Sequence, residues 1–172
     1  IKAPKLALEY ESGLKVYVNF SDQNWKIEES EIEYELPKFG FLVIHEKDNI
    51  IAFSGFSNAF KQNGRVEYIS AKNHIYIDSY ENEMVTTDFK CKGKVFVKKE
   101  KFGWEIIPAK DFESFAFNPA ALGIHSKNIQ IEGLDIDDVP LEQTELVFKD
   151  YKVEIKHQNK EVLKYRICEV QK

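Results

Sequence analysis

Hydrophobic and polar residues alternate with a period of two along most of this 172-residue chain. Leu14, Val16 and Val18 fall on one face of an extended segment, and Lys15 and Tyr17 fall on the other. Successive side chains of a strand point to opposite faces, so this spacing predicts strands and excludes an apolar helical stripe. The same alternation recurs at Ile75/Ile77, Val95/Val97, Phe115/Phe117, Ile129/Ile131, Tyr151/Val153/Ile155 and Leu163/Tyr165/Ile167.

Turn-forming residues separate these segments, as in Glu11–Gly13 and Gln62–Gly64. Asn and Asp tolerate left-handed backbone and Gly adopts it freely, so these segments are typical of hairpin connections. Roughly a dozen short strands at intervals of about 8 to 12 residues predict an all-β fold, an antiparallel β-sandwich. The helical candidates are the acidic segment Glu28–Glu35 and one short turn, Pro119–Leu122, before Gly123.

The segment from Pro108 to Asp111 predicts an internal boundary. We place a β-sandwich domain at residues 1–110 and a small immunoglobulin-like β lobe at residues 111–172. A lobe of about 60 residues is marginal for independent stability, so we expect it to pack firmly on its neighbour.

Composition and charge narrow the class of protein. The chain is 43% hydrophobic and 31% charged, which allows a buried core. The net charge of −5 lacks the basic excess of a nucleic-acid-binding protein. Apolar runs such as Phe41–Ile44 are far shorter than the ~20 residues of a membrane span. We therefore expect no nucleic-acid partner and no membrane insertion. Because the chain opens at Ile1 without a signal-peptide pattern, we expect an excised part of a longer protein.

Two acidic clusters are the candidates for chemistry. Asp78, Glu81 and Glu83 could supply the carboxylate pair of a glycoside hydrolase, although carboxylates are too common in this chain for their proximity to indicate catalysis. The segment 135–138 could offer oxygen ligands to calcium, but it lacks the glycine and the distal glutamate of an EF-hand loop. The residues thus indicate no catalytic group, no metal and no cofactor, and whether the chain itself is an enzyme stays open.

Aromatic side chains are the candidates for binding, because sugar rings stack on flat aromatic faces. Trp25 alternates in phase with Ile27, and Trp104 with Ile106, which favours core positions over binding platforms for both tryptophans.

Tyr17, Tyr76 and Phe96 instead point away from their apolar neighbours in sequence, and they are the binding candidates. Strands that are apolar on both faces are normally covered on both. A second layer of this chain covers that face, or a domain outside the chain does, or the face is an exposed aromatic patch.

Gly13–Ser21, Trp25 and Tyr34–Phe41 together resemble the β-sandwich that follows the catalytic barrel in many bacterial glycoside hydrolases. In those proteins a strand of the form v-N-x-S leads through a turn to L-P-x-x-G-f. Gly64–Asp78 looks like the continuation of that sandwich in larger members. Asn118–Ile124 with Leu163–Ile167 is similar to an immunoglobulin-like end module of such proteins.

This resemblance implies a non-catalytic accessory β-sandwich of a multidomain carbohydrate-active enzyme, which supports the catalytic domain or its glycan cleft. The implied partners are the catalytic domain of the parent chain and a glycan, and the implied location is secreted, periplasmic or cell-surface. No catalytic residue carries over, because the barrel is not in this chain. Two alternatives remain: an independent glycan- or protein-binding module, and a small β-fold enzyme with a pocket of convergent polar groups.

Overall fold

The computed structural model describes residues 4–101, 103–125, 129–143, 147–149, 152–156 and 159–169. Most of the described residues lie in antiparallel strands and almost none in helices, so the predicted all-β fold is confirmed. The described residues include two 3₁₀ helices, Glu46–Asp48 and Pro119–Leu122. Their strands are β1 (Lys5–Glu9), β2 (Lys15–Asn19), β3 (Trp25–Glu29), β4 (Ile32–Leu36), β5 (Phe41–His45), β6 (Ile50–Ser57), β7 (Val66–Ala71), β8 (His74–Val85), β9 (Phe89–Glu100), β10 (Gly103–Pro108), β11 (Ser114–Phe117), β12 (Ile129–Leu134), β13 (Pro140–Gln143), β14 (Val147–Lys149), β15 (Lys152–Lys156) and β16 (Lys164–Glu169).

These strands form one branched sheet. Its main path runs β1-β2-β5-β6-β7-β8-β9-β10-β16-β12-β13. One branch, β3-β4, leaves the path at β6, and a second branch, β11-β15-β14, leaves it at β9. Ile27 and Tyr34 of the first branch and Phe115 and Ile155 of the second belong to one buried cluster with residues of the path. The branches therefore supply the second layer of the sandwich.

The first branch begins at Gly55. On one edge of β6, residues 50–54 pair with β5, and residues 56–57 pair with β4. A Cβ atom at Gly55 would lie 2.5 Å from the carbonyl oxygen of Glu35 in β4. Because real Cβ atoms essentially never approach so closely, only glycine lets β4 meet β6 at this point.

The second branch begins in the same way at Gly93. On one edge of β9, residues 89–92 pair with β11, and residues 95–100 pair with β10. Gly93 has a φ of +93°, and a Cβ atom there would lie 2.7 Å from the Cα of Phe112 and overlap the carbonyl oxygen of Asp111. Both the backbone conformation and the space at this position therefore require glycine.

Most residues predicted to point inward are buried. They are Ile75, Ile77, Val95, Val97, Phe115, Phe117, Ile129, Ile131, Val153, Ile155, Tyr165 and Ile167. Tyr151 lies outside the described residues, and Leu163 precedes β16 and is exposed. Period-two alternation thus identified the buried face of most strands.

The short helical turn at Pro119–Leu122 is confirmed, whereas the helical candidate Glu28–Glu35 is wrong. The amide of Ala120 donates to the side chain of Asn118, and Gly123 ends the 3₁₀ helix in the left-handed region. Glu28–Glu35 instead spans the β3-β4 hairpin, whose turn residues Ser30 and Glu31 both have positive φ. Positive φ at both central residues matches the twist of paired strands.

Hydrogen bonds cross the predicted boundary at residue 110. Trp104 of β10 is opposite Ile167 of β16, and Phe89 of β9 is opposite Phe117 of β11. The two parts of the chain therefore share one sheet, while the division itself and the immunoglobulin-like character of residues 111–172 stay predictions.

Replacement of Gly93 by Ala should lower the free energy of unfolding by about 3 kcal/mol or more. The alanine would be strained at a positive φ, and its Cβ would overlap the backbone of Asp111 and Phe112. Gly13 is the matched control: its φ is +88°, but nothing lies within 4 Å of an added Cβ. Gly13→Ala should cost only about 1 kcal/mol, from backbone strain alone. Chemical denaturation of both variants measures the difference, and equal losses would contradict the close approach at the branch.

Replacement of Trp104 by Ala should cost about 3–5 kcal/mol, since this side chain is only 6% exposed and its Nε1 donates to the Leu122 carbonyl at 2.8 Å. Trp25 is half-buried at the margin of the core, so Trp25→Ala should cost only about 1–2 kcal/mol. Thermal unfolding of the two variants checks this order, and a larger loss in Trp25→Ala would contradict it.

Candidate functional site

The face of the sheet path opposite the core carries a continuous line of apolar residues, which we name the apolar row. Each of eight neighbouring strands contributes one residue directly opposite the next. Its residues are Leu8, Val16, Val43, Ala52, Ile69, Tyr76, Phe96 and Ile107. At a strand spacing of about 4.8 Å, the row is about 34 Å long. All eight side chains are half-buried or exposed, with Leu8 and Ile69 the most open.

Tyr76 and Phe96, two of the binding candidates, lie side by side in this row as direct cross-strand neighbours. The His74 ring stacks on Phe96 with the ring centres 5.8 Å apart. Burial, together with the nearby Asp78 carboxylate, raises the pKa of Tyr76. The structure therefore joins these two candidates in one surface.

Tyr17, the third candidate, lies on the other face of the sheet, so the expectation that the three share one face is wrong. In β2 it is opposite Leu42, which is fully buried, and its ring packs edge-on against Trp25 at 5.8 Å. Its hydroxyl donates to Glu29. Alternation favours the valine face of β2 for the core, but Glu29 of β3 binds both Lys15 and Tyr17, so the more polar face turns inward.

At the end of β2, too, a polar residue is buried and its apolar neighbour is exposed. Asn19 is buried, and its Nδ2 donates to the Leu36 carbonyl at 2.8 Å, whereas Phe20 is exposed. The inward face of β2 is thus the one with Tyr17 and Asn19.

Four lysines of β9 alternate along the same outer face as Phe96, and each has a carboxylate partner. The pairs are Lys90–Glu83 at 2.8 Å, Lys92–Glu113 at 2.7 Å, Lys94–Asp78 at 2.9 Å and Lys98–Glu105 at 3.2 Å. The Asp78 carboxylate raises the pKa of Lys94. Since each of these positive charges is neutralised locally, the strand does not present the uncompensated basic stripe that phosphate backbones require.

The first acidic cluster proposed for chemistry takes part in these pairs. Asp78 and Glu83 lie on either side of an irregularity in β8 and bind Lys94 and Lys90. The side chain of Glu81 lies outside the described part of the structure. The two described carboxylates therefore act as partners of β9 lysines.

The second acidic cluster forms a turn. Asp135 accepts hydrogen bonds from the amides of Asp137 and Val139, both at 2.9 Å, and Asp138 pairs with Lys164. Among the residues that the structure describes, no group of three or more His, Cys, Asp or Glu side chains could hold a metal ion.

The alternative of a small β-fold enzyme requires a pocket with convergent polar groups, and two shallow clefts of the structure contain acidic side chains. The first, of about 360 Å³, is lined by residues that include Tyr68, Lys99 and Trp104, with Asp88 as its acidic group. The second, of about 340 Å³, contains Glu100 and Glu105. Lys98 lies 2.6 Å from Glu100 and lowers the pKa of this carboxyl, the opposite of what a general acid at neutral pH needs.

A polar network lies beside the apolar row, where the row crosses β6, β7 and β8. Arg65 donates from Nε and Nη2 to the Ser54 hydroxyl at 2.8 and 2.6 Å. Ser54 donates to Glu67 at 3.1 Å, and the Tyr80 hydroxyl donates to the same carboxylate at 3.1 Å. Burial, together with Glu67, raises the pKa of Tyr80. The sequence did not predict this network. Its members lie in β6, β7 and β8 and, for Arg65, directly before β7, and only the register of the sheet brings them together.

Comparison with known proteins gives no match to this chain among protein-family models, curated proteins or solved structures. In the described residues, no helix is long and apolar enough to span a membrane.

The phenol of Tyr17 should lose its proton at a higher pH than a free tyrosine. Burial and the adjacent Glu29 raise its pKa from 10.0 to about 12, and burial raises that of Tyr34 to about 12 as well. A raised pKa means that the unfolded chain loses these protons first, so the free energy of unfolding should fall as the pH rises from 10 to 12. In an absorbance titration, Tyr17→Phe should remove one late-titrating phenol.

Tyr34→Phe should likewise remove one late-titrating phenol, because burial raises the pKa of Tyr34 to about 12. A late phase of unchanged amplitude in Tyr17→Phe would contradict the partly buried contact with Glu29.

Proposed function

We propose that this chain is a non-catalytic accessory β-sandwich of a multidomain carbohydrate-active enzyme, and that the apolar row packs against the catalytic domain. The observation that carries the docking role is the row itself, which places eight apolar side chains in register on a face that the branches of this chain do not bury. The sequence resemblance to glycosidase accessory domains supports the class of the parent enzyme.

The size and surroundings of the apolar row fit a protein interface. Leu6, Val18 and Phe41 form a second apolar line beside its first three strands, and Leu6 is also exposed. Stable interfaces bury about 800 Å² on each partner, so the row, about 34 Å long, would form the apolar centre of such an interface and the flanking polar residues its remaining area. The ion pairs of β9 border the row, in keeping with the apolar centre and polar rim of protein interfaces.

An independent glycan-binding module is the second candidate function. Two exposed aromatic residues favour it, Phe39 and Tyr80, since open aromatic rings are the surface that a sugar ring stacks on.

Replacement of Ile69 by Glu tests the docking role, because it places a charge in the middle of the apolar row at a partly exposed site. We expect the affinity for the separately produced catalytic domain of the parent protein to fall at least about 30-fold, the scale of a central interface residue. Analytical ultracentrifugation or calorimetry measures the complex, and thermal unfolding should show that the variant is folded.

Ile136→Glu is the matched control, since Ile136 is 79% exposed and lies in the turn before β13, outside the apolar row. This variant should bind like the wild type. Equal affinities of both variants and the wild type would show that the row is not the docking surface, and a parent gene without a glycosidase domain would contradict the class of enzyme.

A further inference from the structure

Phe39 and Tyr80 combine strong exposure with a left-handed backbone. Phe39 is 61% exposed with a φ of 59°, and Tyr80 is 41% exposed with a φ of 53°. A bulky side chain at positive φ is a genuine outlier, because its Cβ crowds the backbone. The other described non-glycine residues with positive φ are polar: Ser30, Glu31, Asn49 and Asp138.

Smaller residues would suit both positions better. Phe39 is the third residue of the turn Pro37–Gly40, which the Gly40 amide closes on the Pro37 carbonyl at 2.7 Å. A positive φ there is typical of a type II turn, in which Gly or Asn is preferred. Tyr80 lies in the irregular part of β8, where its amide donates to Asp78 at 2.8 Å.

Burial does not offset this strain, because both residues remain exposed to solvent. Strained residues of this kind cluster at ligand sites, where the surrounding structure holds them in place. An exposed aromatic ring at a position that favours Gly or Asn therefore points to a role outside folding.

One hydrogen-bonded network connects the two residues. Arg65 donates from Nη2 to the Phe39 carbonyl at 3.3 Å and to Ser54 at 2.6 Å. Glu67 accepts from both Ser54 and the Tyr80 hydroxyl at 3.1 Å. The network fixes the turn at Phe39 relative to Tyr80, which lowers the entropy that a ligand must overcome on binding.

The chemistry of this surface favours a neutral ligand with many hydroxyl groups. Arg65 and Glu67 carry opposite charges and both bond to the Ser54 hydroxyl. Lys38, whose Nζ lies 5.4 Å from the centre of the Phe39 ring, pairs with Asp22, and Lys94 pairs with Asp78. Neither an anion nor a cation would therefore find an uncompensated partner. A saccharide offers apolar C–H faces for aromatic rings and hydroxyls for guanidinium and carboxylate groups. On the basis of the glycan-binding role given above as the second candidate function, we propose that Phe39 and Tyr80 are the stacking residues of a saccharide-binding site and that Arg65 and Glu67 bind the hydroxyls of the saccharide.

Calorimetric titration of the chain with cellotetraose, xylotetraose, mannotetraose, laminaritetraose and chitotetraose tests this site. With the saccharide that binds best, Phe39→Asn and Tyr80→Asn should each lower the affinity at least about tenfold. The melting temperature should stay the same or rise by about 2–4 °C, because Asn relieves the backbone strain. Weaker binding together with equal or greater stability is an outcome that a merely structural role would not produce.

Three variants serve as controls. Tyr10→Asn removes an exposed aromatic residue that lacks a positive φ and should leave the affinity unchanged. Tyr80→Phe keeps the ring but removes its hydrogen bond to Glu67, so its affinity should lie between those of the wild type and Tyr80→Asn. Leu8→Glu, at the far end of the apolar row on β1, should bind the saccharide normally, so that failure of the saccharide site and failure of the docking role give different results.

Three outcomes would overturn the proposal. The first is that the wild-type chain binds no saccharide of the panel at a saccharide concentration of about 10 mM, as expected if a protein binds to the surface around Phe39 and Tyr80. The second is wild-type affinity in both Asn variants, and the third is a clear fall of the melting temperature in both.

Discussion

The close approach of backbones at Gly55 and Gly93 is the constraint on which the architecture depends. At each glycine one edge of a long strand changes partner, so that β6 pairs with β5 and then β4, and β9 with β11 and then β10. A Cβ atom at either position would overlap the incoming chain. Because the two branches supply the second layer over one face of the path, the opposite face is left outward. The outer surface is thus a consequence of how the sandwich is closed.

The outer face combines the apolar row with ion pairs of β9 that lie beside it. The exposed pairs Lys90–Glu83 and Lys92–Glu113 contribute little to stability, about 0–1 kcal/mol each. Asp78 and Glu105 are buried, so Lys94 and Lys98 neutralise carboxylates that would be costly to leave unpaired. Phe96 therefore lies between locally neutral groups. This arrangement limits the open apolar area to a strip and leaves no field that would attract a polyanion.

The two proposed sites are close together on this face. Glu67 of the polar network and Ile69 of the apolar row are two residues apart on β7, so their side chains lie on the same side of the sheet. A catalytic domain that packs on the row would therefore be adjacent to a saccharide held by Phe39 and Tyr80. Such an arrangement would place a glycan at the margin of a domain interface.

The sequence by itself determined the strands and most of the buried faces, because period-two alternation is a local property. Ile75/Ile77 and Val95/Val97 were assigned correctly, because the apolar sides of β8 and β9 are the buried ones. Tyr17 was not, because β2 turns its polar side toward the first branch, where Glu29 and the Leu36 carbonyl bind the side chains of Lys15, Tyr17 and Asn19. The alignment of Tyr76 with Phe96 into a row, and the meeting of Arg65 with Ser54 and Phe39, were decided by the tertiary structure. These contacts depend on register and backbone conformation, which hydrogen bonds between distant segments determine.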